Sequence, residues 1–452
     1  MSAGKTATTN VGISGGAPAP AANSGEISAQ PAGGGSFDQR LRQLFRGELL
    51  VPAALVFLLS LPVFSRLIGA PDVTRARTDH FVHLNLAKRL AMRGESPPHP
   101  LYHYFIVFLS LGRNLAAFEG VAAFVLAFAL GVRAYLTALL FSMRNEPRLW
   151  QTIVVCLALA LAMPLPNWWQ TPRSLQPQMT EYFLKRMPAP GWWDLPSVSR
   201  GQVAANAWHN PTVIFAMPFC LLLFILGLQS LHQLRASWMA GVGGVMVVSL
   251  LAKPNYALAF APCFAVAAGI VGWRERRAGR LSTQDLVWRG AVALGPALAV
   301  LGLQYRGTFA AGQAADARVV FAPLAAWGGL MPVHTIPFAI LLGLAFPLAV
   351  AVLYRSKAVR EPKLLLASAV LAVAILQYAL LAETGPRAEH GNFGWGVLLA
   401  NQVLFVACAD FLLRQPASNA RRAGFGVLGL HVLSGCICLT RGLFVPDLVT
   451  EY

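Results

Sequence analysis

The chain has 452 residues, 56% of them hydrophobic and 12% charged, with a mean hydropathy of +0.56. Soluble domains carry about 25% charged residues, so a soluble globular enzyme is excluded, and repeated apolar runs suit helices crossing a ~30 Å hydrocarbon core. The net charge of +17 does not indicate nucleic acid: the arginines sit in short segments between apolar runs, as orientation signals do, and form no contiguous basic face.

Residues 1–36 are rich in Gly, Ala, Ser, Pro and Thr and are expected to be a disordered cytoplasmic tail ahead of a transmembrane domain over 37–452. The predicted fold class is all-α, a polytopic transmembrane bundle. Its eleven expected spans lie near 48–68, 115–142, 149–166, 211–231, 236–252, 255–273, 287–304, 328–354, 363–382, 394–413 and 423–443. Residues 101–112, "LYHYFIVFLSLG", are too short to cross and predict an interfacial or re-entrant helix after the first outer loop. All six cysteines (Cys156, Cys220, Cys263, Cys408, Cys436 and Cys438) fall in apolar runs and read as small buried hydrophobes.

Orientation follows from the basic residues. With the amino terminus in the cytoplasm, six short connections from "FDQRLRQLFR" to "RQPASNARR" hold 17 of the 36 Lys and Arg, as the positive-inside rule requires. The polar loops 69–100, 167–210, 305–327 and 383–393, and the turn around Lys253, then share the outer face with the carboxyl terminus. In a cell envelope this is a multi-pass inner-membrane protein whose chemistry faces the periplasm.

The first outer loop is the densest in chemistry. Asp79 is a candidate general base or metal ligand; His80 follows it, and His83, four residues on, shares its helix face. The plain alternative is an amphipathic surface helix with solvated charges. His209 and Asn210 precede Pro211 at a span entrance, where substrate contact and helix capping are both open. Lys253 in "LLAKPNYALAF" is a lone cation between two apolar spans, either functional or snorkelling from a helix end; Asn255 follows it. "AETGPRAEHGNFGWG" gathers Glu383, Arg387, Glu389, His390 and Asn392. Trp168, Trp169, Trp192, Trp193 and Trp208 suit sugar stacking or an interfacial belt. Inside the spans Glu119 and Asp410 stand as isolated acids, Asp410 within reach of Arg414 at i+4. Neither an internal repeat nor a strong mid-span charge is evident.

An early loop acid, a helix ending at Gly94, and the "PPHPLYH" entry with Pro98, Pro100, Leu101 and Tyr102 resemble the C-type glycosyltransferases, polytopic enzymes that take sugars from polyprenyl-phosphate carriers. The resemblance covers about 60 residues, from the first span to residue 112. It implies that Asp79 activates an acceptor hydroxyl and that a cation such as Lys253, with Asn255 beside it, receives the lipid phosphate. Within the matching stretch His80, His83, His99, Tyr102 and His103 are substrate-binding candidates, and His209 and Asn210 join them from their place at the later span entrance. Arg387 can grip phosphate bidentately, and Glu389 or His390 can hold sugar hydroxyls or serve as an alternative base. The nearest second acid, Asp72, lies seven residues from Asp79, so no metal site or other cofactor is indicated, although a divalent ion remains open. The implied partners are a polyprenyl-phosphate-linked sugar, a glycan, lipid or protein acceptor, and membrane lipid. A polysaccharide polymerase or ligase of the O-antigen kind, and a lipid-linked sugar transporter, are the competing readings.

Overall fold

A computed structural model describes residues 46–69, 79–97, 99–112, 114–143, 147–165, 203–307, 318–331, 333–385 and 391–444. The expected disordered tail, 1–36, lies outside them. In chain order the helices are α1 (Gly47–Ile68), α2 (Asp79–Arg93), α3 (Leu101–Leu109), α4 (Phe118–Ser142), α5 (Leu149–Leu161), α6 (Pro211–Gln233), α7 (Ala236–Ala252), α8 (Asn255–Arg277) and α9 (Thr283–Tyr305). They continue with α10 (Ile336–Gly343), α11 (Ala345–Ala358), α12 (Pro362–Leu380), α13 (Gly394–Leu413) and α14 (Asn419–Phe444). Two short strands, β1 (Val319–Phe321) and β2 (Leu381–Glu383), pair antiparallel with Val319 opposite Glu383.

The chain is a polytopic α-helical membrane protein. Eight helices (α1, α4, α6, α8, α9, α12, α13 and α14) are long and apolar enough to cross a membrane, and α10 with α11, bent by 62°, make a ninth. The expectation of eleven spans is thus met by eight or nine. Every segment expected to span does contain helix, but α5 has 13 residues and α7 has 17. At about 1.5 Å per residue, α5 reaches only ~20 Å of the ~30 Å hydrocarbon core. Residues 101–109 form the short helix α3, as their length predicts.

Local chemistry sets the ends. Asn210 caps α6 by accepting from the Val213 amide at 3.0 Å, with Pro211 at the first helical position, where proline loses no intrahelical bond. Ser282 caps α9 in the same way through the Asp285 amide. α8 ends in Arg274, Arg276 and Arg277, cations that complement a helix carboxyl end.

The bundle is organised around α13, the most enclosed span, while α9 lies at the periphery against α7. α1 and α4 form the most extensive helix pair. The interior is not helical throughout. α5 stops at Leu161, residues 162–165 run on without helix, and residues 203–210 lead into α6 buried in the bundle. These segments lie level with Arg133, Asn401 and His431, residues from the middle of α4, α13 and α14. Their backbone groups are answered one by one. Arg133 and the Asn206 amide both donate to Leu159 O at 2.9 Å, and Asn206 also donates to Ala162 O at 2.6 Å. His431 Nδ1–H donates to Met163 O at 2.7 Å, and Ser434 to Pro164 O at 2.5 Å. Non-helical backbone at membrane depth is tolerated only when protein satisfies it in this way. The close approach also needs glycine: a Cβ at Gly343 would collide with the Val203 carbonyl, and one at Gly435 with that of Leu161.

Candidate functional site

α2 presents Asp79 in its first turn and buries His80, Leu84, Ala87 and Leu90 against the bundle. The helix forms because its apolar residues recur at three- and four-residue spacing. It ends at Gly94, whose φ of +69° favours glycine. Proline-rich residues then lead into α3, which returns Tyr102, His103 and Ile106 to the core.

Four separate chain segments meet at this end of the bundle. Asn210 Nδ2 donates to Asp79 Oδ2 at 2.6 Å, and the Thr212 hydroxyl donates to Asn210 Oδ1 at 2.9 Å. Lys253 Nζ donates to Thr212 Oγ1 at 3.0 Å and sits 4.9 Å from the centre of the Trp395 ring. Lys253 is extended at the end of α7 and only 6% exposed. Of its two sequence readings, snorkelling to solvent does not fit. His209 packs against the other partner of that lysine, with ring centres of His209 and Trp395 5.6 Å apart. Asn255 Nδ2 donates to Asn392 O at 2.8 Å, and the Asn392 side chain donates to Glu383, which ties the Lys253 turn to the end of β2.

Compared with known proteins, the chain matches no family model, no curated protein and no solved structure. What the site can do is therefore read from its own chemistry.

A histidine pair lines the approach to the lysine. His83 Nδ1 and His103 Nε2 are 2.9 Å apart, so one ring donates to the other. Burial first, then the charges of His103 and Lys253, hold His83 well below the ordinary imidazole range. Burial likewise pushes His103 down to about 4, with Lys253 adding to it. His80 is lowered to about 4 by burial, and its Nε2 lies 2.9 Å from Trp208 O. All three rings are neutral at neutral pH. Among the described residues, Asp79 and Lys253 stand at the two ends of one hydrogen-bonded line, separated by the side chains of Asn210 and Thr212.

The candidates named from sequence fall into groups. Asp79, Asn210, Lys253 and, through Trp395, His209 belong to one cluster; His83 and His103 flank it. Asn255 joins it through Asn392. His80 and Tyr102 are 2% and 1% exposed and form its walls, Tyr102 packing on His83 and Phe215. His99 is half-buried at the start of α3. Arg387, Glu389 and His390 lie outside the described residues, as do Asp72, Trp168, Trp169, Trp192 and Trp193. Trp208 packs at a tilt on Phe64 with centroids 5.3 Å apart, partly buried against the core. Among the described residues no group of three His, Cys, Asp or Glu is placed to hold a metal ion.

Several site residues escaped sequence reasoning. Thr212 is the link between cation and cap, yet a threonine in the first turn of a helix carries no distinctive signal. Trp395 was hidden in a glycine-rich run. Arg133 corrects the expectation that no strong charge sits within a span: it is 3% exposed on α4 and engages Asn206 and Leu159 O. Glu119 borders a cleft with Lys88, Asn85, Phe81 and His80, on the side of α2 away from Asp79.

At the other end, Asp410 pairs with Arg414 at 3.0 Å, the i+4 partner its position suggests, and also with Lys363 at 2.7 Å. Arg414 further pairs with Glu361 at 3.1 Å. This network joins the start of α12 to the end of α13.

Proposed function

We propose that the protein is a membrane glycosyltransferase of the C-type, moving a sugar from a polyprenyl-phosphate donor to an acceptor hydroxyl on the outer face of the membrane. The observation that carries the reading is the convergence of Asp79 and Lys253 in one cluster flanked by neutral histidines. In the reaction, the acceptor oxygen forms a bond to the anomeric carbon and gives its proton to Asp79. The bond between that carbon and the phosphate oxygen breaks, and the electron pair leaves with the polyprenyl phosphate. Lys253 receives the charge that develops there, where a buried ammonium is worth more than in water. The Trp395 ring beside Lys253 offers a flat apolar face, and the bonded group Asn255, Asn392 and Glu383 offers hydrogen-bonding atoms, the two features a pyranose needs. Lipid substrate, sugar and acceptor are the partners this reading requires; no step in it uses a metal.

The test is transfer of radiolabelled sugar from polyprenyl-phosphate donors in vesicles. Asp79→Asn should lower the rate by about 10²- to 10⁴-fold, the usual contribution of a general base, with insertion and thermal stability retained. Near-normal transfer in that variant sinks the assignment and leaves the polymerase or ligase reading. One observation favours a transporter as second reading: non-helical backbone at mid-depth beside Arg133, a feature of transporter sites. That reading expects flux of lipid-linked sugar across reconstituted vesicles with the sugar still attached to its carrier.

A further inference from the structure

Asn210 uses both ends of its amide. Oδ1 accepts from the Val213 amide at 3.0 Å and from the Thr212 hydroxyl at 2.9 Å, while Nδ2 donates to Asp79 Oδ2 at 2.6 Å. The direction of every link is fixed by chemistry. An ammonium only donates, so Thr212 Oγ1 accepts from Lys253 and sends its single hydrogen to Asn210 Oδ1. A flipped amide would set Nδ2 against the Val213 N–H and Oδ1 against a carboxylate oxygen, two clashes of like kind. The chain Lys253 to Thr212 to Asn210 to Asp79 therefore runs one way, from cation to anion.

It is also shielded. Thr212 is 2%, Asn210 4% and Lys253 6% exposed. Hydrogen bonds in series polarise one another in such surroundings. Among the described residues nothing hydrogen-bonds Asp79 Oδ1, so Oδ2 is the held oxygen and Oδ1 the one left to take a proton.

We infer that Asn210 and Thr212 are positioning residues that couple Lys253 to Asp79, so that an anion engaged by Lys253 loosens the hold on the carboxylate. An anion draws the ammonium hydrogens toward itself. Thr212 then donates less strongly to Asn210, Asn210 less strongly to Asp79, and the carboxylate becomes a better acceptor for the incoming hydroxyl proton. The base is tuned when the lipid phosphate is in place. The use of this coupling rests on the transfer reading; the coupling itself does not.

The experiment is isotope-edited infrared spectroscopy of the full protein in nanodiscs, with the Asp79 carboxylate band identified by its absence in Asp79→Asn. Without ligand, Asn210→Ser keeps a cap acceptor for α6 but removes the amide Nδ2–H that reaches Asp79, and should shift the band. Thr212→Val should shift it in the same direction by less, and Thr212→Ser should restore it. Undecaprenyl phosphate is then added, with binding followed by native mass spectrometry. The wild-type band should move on binding, and in Thr212→Val it should stay still with the lipid bound. A ligand-induced shift that survives in Thr212→Val overturns the inference, as does a band unmoved by Asn210→Ser. Failure of undecaprenyl phosphate to bind overturns the transfer reading instead, and the ligand-free arm still decides the relay.

Discussion

At the scale of single residues, the site depends on what burial does to ionisable groups. Lys253 is 6% exposed, and the Thr212 hydroxyl oxygen and the Trp395 face stand where part of its hydration would be. Lys253→Met removes a charge-assisted bond worth about 1.5–3 kcal/mol, so affinity for undecaprenyl phosphate should fall by roughly 10- to 100-fold. Unchanged affinity in a binding titration would detach the lysine from the phosphate. The histidines give a pH signature. Burial depresses His80 and His103 to about 4 in the folded state and holds His83 well down, against about 6.5 for a free imidazole. The unfolded chain then binds more protons as pH falls below 6.5. Stability is full above that point and drains between 6.5 and 4, by about 1.4 kcal/mol per pH unit for each fully titrating ring. Thermal unfolding in detergent from pH 7.5 to 5 should show the decline, and His103→Gln should flatten it. A melting temperature flat across that range would contradict the buried neutral rings.

Elements were legible where one rule decides them. The long apolar runs that became α1, α4, α6, α8, α12 and α13 bury their stripes against one another, and Asn210-Pro211 marks the start of α6 as its residue types predict. α5 broke the pattern. Its run is apolar to residue 165, but the helix stops at Leu161, ahead of Pro164, which cannot continue the ladder, and Arg133 and Asn206 take up carbonyls at its end. Those partners lie 26 and 47 residues from Leu159, beyond any local window. Asn206→Leu keeps the bulk and leaves the Ala162 carbonyl without that donor and Leu159 with one fewer. An unsatisfied buried group costs about 1–3 kcal/mol, so the variant should lose that much stability in urea or detergent unfolding. A loss under 0.5 kcal/mol, the ordinary scatter of neutral substitutions, would mean water or a rearranged backbone takes their place.

For the whole molecule, two polar clusters mark opposite ends of an apolar bundle, and each holds helices that are distant in sequence. Asp410→Asn removes the carboxylate that Lys363 and Arg414 share, and loss of one partner from a buried ion pair costs about 3–5 kcal/mol. Sidedness is the remaining expectation: the Glu275–Arg280 turn, rich in arginine, should face the cytoplasm, and the Asp79 cluster the outside. Single cysteines at Arg280 and Glu95, in a background lacking the native six, should react with an impermeant maleimide from opposite sides of right-side-out vesicles. Labelling of both from one side would overturn the topology.

Composition and apolar run length alone determined that this chain is a polytopic helical membrane protein, since lipid admits few other ways to satisfy a backbone. Loop chemistry singled out Asp79, Asn210, Lys253 and Asn255 through residue type and position. Only the tertiary structure decided that the first three form a single hydrogen-bonded line through Thr212, that Trp395 flanks it, and that Arg133 is spent on a helix end. The reason is physical: hydropathy is a property each segment carries by itself, whereas a hydrogen bond between residues 79 and 210 exists only once the helices between them have packed.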